Sequence, residues 1–239
     1  MSRTDIAGAI DYSETPYLDF TRSDGPSIWS RLPEEALQHA EQSIIRILCS
    51  CQIHPKLIEI MIDVAHFSQA ILSWRSNPSM DVDFKALSED MYWIEYRLLL
   101  FPTTLGGLEE RDIEAACRLG ALLYMKTLLE EFPHSATGPS LLLKQLQESL
   151  GKITIIESLS SLLLWLSLIG AALSKYDMRI WFMGLLEELT INFRIPSFRD
   201  HELEMSSVIG LQEVLGSSVE RIWVEVTEAL RTRVTLLQL

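Results

Sequence analysis

Residues 159–182 read LSSLLLWLSLIGAALSKYDMRIWF, and the fold turns on how this stretch is taken. An uncharged run extends from Ser158 to Ser174, bounded by Glu157 and Lys175. Its 17 residues fall short of the roughly 20 apolar residues that cross a bilayer core, and serines dilute it. No cationic cluster flanks it to set an orientation, as a spanning helix requires. A helix apolar on all sides that does not span a membrane belongs at the centre of a large domain. The buried-helix reading is therefore preferred over a membrane span at 158–174. After a break at Lys175-Tyr176-Asp177, a second apolar helix opens with Arg179, Trp181 and Phe182.

The rest of the chain carries the same helical period. Leu57, Ile60, Met61, Val64, Phe67, Ile71 and Trp74 form one apolar stripe. Leu37 to Cys51, Phe84 to Leu98 and Ile113 to Leu128 form three more. Further segments are expected over 139–150, 153–174, 178–193, 202–215 and 218–236. Ser217 and Glu220 have the spacing of a capping box at the start of the last. Prolines at 33, 55, 78, 102, 133, 139 and 196 fall mostly between these segments, as they do in helices joined by turns. Alternating strand patterns are nearly absent. The expected fold is all-α: one large domain of about nine helices over 31–239, preceded by a flexible N-terminal arm over 1–30 whose residues show no sustained period.

Composition narrows the functions open to the chain. With 239 residues, 48% of them hydrophobic, it can bury a substantial core. A net charge of −13 and scattered basic residues argue against direct contact with nucleic acid. Met1 to Tyr12 lack a basic stretch followed by an apolar one, and the cysteine count is odd. Both point to a soluble protein of a reducing compartment, with no membrane partner.

The search for chemistry yields little. Cys49 and Cys51 lie two apart, which on a helix turns them about 200° from each other, and no second cysteine pair completes a zinc site. His39, His54, His66, His134 and His201 never recur at metal-binding spacing. His134 sits in a Pro133–Pro139 turn. Acidic doublets such as Glu109-Glu110 and Glu187-Glu188 diverge on a helix and read as solvated faces. Gly106-Gly107 ends a segment rather than cradling phosphate. No metal, cofactor or catalytic residue is expected, so the chain reads as a non-enzyme. Trp165, Trp181 and Phe182 fall in consecutive helices, where aromatic packing in the core is the commoner arrangement and a pocket walled for a small apolar ligand the alternative. Trp165 and Trp181 should be buried, and Gly170 should lie at a helix crossing.

The order of these segments resembles the fungal-specific transcription factor region, the helical domain C-terminal to zinc binuclear cluster DNA-binding heads. Glu114-Ala-Ala-Cys-Arg118-Leu-Gly-Ala-Leu-Leu-Tyr124 is similar to that region's arginine-containing helix. Leu141-Leu-Leu-Lys-Gln-Leu146 resembles its short leucine-rich helix. Leu163-Leu-Trp165-Leu-Ser-Leu-Ile-Gly170 resembles its core helix, and Arg179-Ile-Trp181-Phe182 the opening of the next. The resemblance spans roughly 33–193 and is sharpest over 114–182. It implies packing roles, not catalytic ones, for Arg118, Trp165, Gly170, Arg179, Trp181 and Phe182. It further implies a nuclear regulator, of the kind found in secondary metabolism, that acts through the transcription machinery, a DNA-binding regulator or a small ligand. An orphaned cytoplasmic interaction module is the alternative, with an enzyme built around an apolar helical cavity and a membrane-associated protein as lesser ones. One departure stands out: the family's cysteine-rich basic head has no counterpart in the first 48 residues, which hold no cysteine.

Overall fold

The computed structural model describes residues 3–12, 14–77, 79, 81–105, 109–130, 138–195 and 210–236. Among them there is no strand. The α-helices are α1 (Arg3–Tyr12), α2 (Glu34–Ser50), α3 (Pro55–Ser76), α4 (Phe84–Leu100), α5 (Asp112–Leu128), α6 (Ser140–Leu150), α7 (Ser160–Leu173), α8 (Tyr176–Asn192), α9 (Leu211–Leu215) and α10 (Ser217–Leu236). Nine of these have ten residues or more, in line with the expected all-α domain.

Short connections fold neighbouring helices back on one another: α2 on α3, α3 on α4, and α7 on α8. The turn after α2 shows how locally this is set. Ile53 N–H donates to Leu48 O and Gln52 N–H to Cys49 O, with Gln52 at a φ of 56°. That pattern closes the helix by satisfying its last carbonyls. His54 then caps α3 by accepting the Lys56 N–H on its ring Nδ1 at 3.2 Å, and Pro55 takes the first helical position.

Helix α5 is the hub, in contact with α3, α4, α6 and α7. The expected stripe of Ile113, Ala116, Cys117, Leu123, Tyr124 and Leu128 is buried, and so are Leu119, Leu122 and Met125 on its other sides. Even Lys126 is buried, its Nζ 3.4 Å from the carboxylate of buried Glu95 on α4. Helix α7, fourteen residues long, is buried from Leu162 to Ala171, as expected for a central helix. Helix α3, of 22 residues, is long and apolar enough to cross a membrane by length and composition. Within this fold α2, α4 and α5 pack against it, and its Asp63 pairs with Arg97 of α4.

Three expectations change. Residues 1–30, expected as a flexible arm without periodic structure, contain a helix and a turn that pack on the bundle: Ile6 and Ile10 of α1 are 1% exposed, against α4 and α6, and the 3-10 turn Ile28–Arg31 packs on α3. Ile6, Ala9 and Ile10 have helical spacing, but one turn of it is too short to stand out from a polar segment. The helix expected from 153 begins at Ser160, because Ile153 and Ile155 lie in a non-helical approach that ends in a 3-10 turn at Glu157–Leu159. The last helix begins at Ser217, directly after Gly216 at a φ of 52°, so Ser217 is a helical residue and not a cap. Pro78, Pro133, Pro196, Gly106-Gly107, His134, His201 and most of the expected 202–215 helix lie outside the described residues.

Candidate functional site

Of the six residues singled out by the resemblance, Trp165, Gly170 and Phe182 fall along one seam, where α7 is held between α5 and α8. Arg179 ties the end of α7, Trp181 stands beside Phe182 toward Gly151, and Arg118 pairs with Glu110 ahead of α5. Two glycines shape the seam. Gly120 of α5 lies under α7, where a β-carbon would overlap the Leu166 side chain and stand 3.0 Å from the Trp165 ring. Gly170 of α7 faces α8, where a β-carbon would overlap the Phe182 ring. Each glycine is thus a seat for a large side chain of the opposing helix. Trp165 and Phe182 are both fully buried, and the Trp165 ring lies 6.1 Å from that of Tyr124. The Tyr124 hydroxyl pairs in turn with Ser68 of α3.

Of the two arrangements open to Trp165, Trp181 and Phe182, no pocket walled by all three forms among the described residues. Trp165 turns toward α5, while Trp181 stands edge-on to Phe182 at 5.0 Å. Trp181 is only half-buried, contrary to expectation. It lies about 100° around α8 from the inward position that Phe182 holds, and meets the edge of the fold near Gly151.

The two arginines act as clamps. Arg118 makes paired bonds from Nε and Nη2 to the Glu110 carboxylate at 2.7 and 3.0 Å, which fixes the approach to α5. Arg179 donates to Ala171 O at 3.0 Å and to both oxygens of Glu225 at 2.8 and 2.7 Å. It therefore ties the end of α7, the start of α8 and the middle of α10 together. A cleft of about 180 Å³ lies beside it, edged by Ser174, Ser218 and Arg221. Glu225 gives no sequence signal for this role, being 46 residues from Arg179.

Glu114, quoted only as the start of the arginine-containing motif, is a second hub. Its carboxylate accepts from His54 N–H at 2.9 Å, Arg111 N–H at 3.2 Å and the Arg111 guanidinium at 2.7 Å. Burial pushes its carboxyl up, but the Arg111 guanidinium and the two backbone N–H groups outweigh that and hold it below the usual range. Cys51 and Cys117 are buried, and desolvation raises both thiols, leaving them unreactive at neutral pH. Cys49 is exposed, so the two thiols of the Cys49-Ser-Cys51 pair diverge. Glu110 and Glu187, expected as solvated charges, are instead paired with Arg118 and Arg233. Among the described residues no group of three His, Cys, Asp or Glu side chains is placed to hold a metal ion.

An open cavity of about 670 Å³ lies between the approach to α7 and the end of α8, lined by Ile155, Leu164 and Phe193 with Glu157 and Arg194 at its edge. None of the six motif residues lines it. Compared with models of known families, with curated proteins and with solved structures, the chain matches none.

Proposed function

We propose that this chain is a helical regulatory domain of the fungal transcription factor kind, working in the nucleus through a protein partner. The observation that supports it is that Trp165, Gly170, Arg179 and Phe182 of the motifs serve to join helices. Drawn from motifs spread over 114–182, several of them meet in one packed seam: Trp165 over Gly120, Phe182 over Gly170, and Arg179 binding the end of α7 and the start of α8 to the middle of α10. A set of residues whose common work is to join helices suits a domain that transmits contacts. Catalysis would instead draw acid, base and nucleophile toward one point. The acidic surface, with a net charge of −13, directs any contact with DNA to a partner that carries the basic residues.

The test is a reporter assay in which the chain is fused to an unrelated DNA-binding segment. The reading predicts a several-fold change in reporter output relative to the DNA-binding segment alone, lost in Gly170→Leu. Output equal to that of the DNA-binding segment alone, from a folded nuclear fusion, would contradict it. So would a response that survives Gly170→Leu unchanged, since acidity alone would then account for it. A tagged chain spread through the cytoplasm would favour the orphaned interaction module.

A further inference from the structure

The polypeptide between α1 and α2 crosses α4 as a strap, and its anchorage is unusual. Asp90 of α4 is fully buried, and the bonds to both of its oxygens come from the strap: Arg22 Nε to Oδ1 at 2.5 Å and Ile28 N–H to Oδ2 at 2.8 Å. The remaining Arg22 donors turn back into the strap, to Ser23 O at 3.2 Å, Gly25 O at 2.9 Å and Ser27 Oγ at 3.0 Å. Arg22 thus folds the strap around itself and plugs it into α4. Around this pin the contacts come from partly buried side chains. Phe20 rests its ring 6.2 Å from Trp93 and 6.0 Å from Tyr96, and the Tyr96 hydroxyl donates to Asp19 at 3.3 Å. Ser23 pairs with Glu89, and Trp29 meets His66 at 6.0 Å. Phe20, Ile28 and Trp29 are only partly buried.

A segment with little buried apolar surface opens at lower free energy than the core it covers. Here one buried ion pair pins the strap. The other ties are exposed bonds, from Tyr17 and Leu18 N–H to Asp5 and from Arg31 to Asp81 O at 2.8 Å, and the packing of Ile28–Arg31 on α3. Opening hydrates both members of the pair. We propose that residues 14–31 form a latch that lifts from α3 and α4 as a unit, with Arg22–Asp90 as its catch, and uncovers the Trp93 and Tyr96 rings. The bundle beneath stays folded, since the seam of α5, α7 and α8 makes no use of the strap.

Hydrogen–deuterium exchange on the full chain tests this, read in peptides covering 20–31 and 162–171. Arg22→Ala strands the Asp90 carboxylate whenever the strap is closed, so strap peptides should exchange ~100-fold faster, with the α7 peptides unchanged. Ser27→Ala removes one Arg22 partner and keeps the pin. It should speed the same strap peptides several-fold, and it decides the matter if Arg22→Ala does not fold. Unchanged strap exchange in both variants would overturn the latch. So would acceleration of the α7 peptides in step with the strap, because the strap would then be part of the core.

Discussion

The seam between α5, α7 and α8 and the contact between strap and α4 join elements by opposite means. In the seam, shape does the joining: two glycines receive Trp165 with Leu166, and Phe182, and the surfaces in contact are hydrocarbon. Under the strap, charge does it, through one carboxylate, one guanidinium and one backbone N–H. Apolar burial is additive and insensitive to pH, and contributes about 25 cal/mol per Å². A buried ion pair repays its desolvation only while both partners stay in register. The first kind of joint suits a permanent core and the second a part that opens.

Substitutions at the two joints should therefore differ in size and in kind. Trp165→Ala would empty the centre of the seam and should cost about 3–5 kcal/mol, seen as a fall in the global denaturation midpoint at unchanged slope. Gly170→Leu overpacks the Phe182 seat and should cost about 1–3 kcal/mol, again globally, by thermal or urea unfolding. Either variant behaving like wild type would remove the seam from the centre of the fold.

Two buried carboxylates sharpen the contrast through pH. Burial raises the Asp90 carboxyl, a cost that its bonds to Ile28 and Arg22 offset only in part. A carboxyl raised on folding contributes stability that is present in acid and lost as pH rises through its folded value. Glu114 is held low, so its contribution is present above the ordinary carboxylate range and lost as pH falls through its folded value. Stability of wild type relative to Asp90→Asn should accordingly grow as pH falls from neutral toward ~4, whereas that relative to Glu114→Gln should shrink below ~4.3. Urea midpoints measured from neutral pH into acid read both trends, and trends of the same sign would contradict the assignment.

How much of this was legible in the sequence follows from the same contrast. Apolar joints leave a periodic trace: the stripes of α3 and α5 and the run in α7 announce buried helices, and Gly170 stands out among leucines. The strap leaves none. Arg22 and Asp90 are single polar residues 68 positions apart, and no period links them. Trp181 marks the limit between the two cases. Its size suggested burial, but burial on α8 is decided by angle, and Phe182 holds the inward position. Glu225 was hidden for the same reason as Asp90.

The smallest expected effect lies outside both joints. Gln52 closes α2 in a left-handed conformation that disfavours a side chain, with its own side chain exposed. Gln52→Gly should stabilise the protein by roughly 0.5–1 kcal/mol, strain relief exceeding the added freedom of the unfolded chain. A thermal melt is enough to see it, and destabilisation would show that the turn is unstrained.

The central claim is that α7 and α8 are joined by the fit of Phe182 over Gly170. A double-mutant cycle of Gly170→Ala and Phe182→Leu, followed by urea unfolding, tests it most directly. If the ring occupies the glycine seat, the smaller leucine side chain makes room for the new methyl group. The double variant should then be more stable than the sum of the single losses, by about 1 kcal/mol or more. Losses that simply add would mean that the two residues act independently and that the seat does not join these helices.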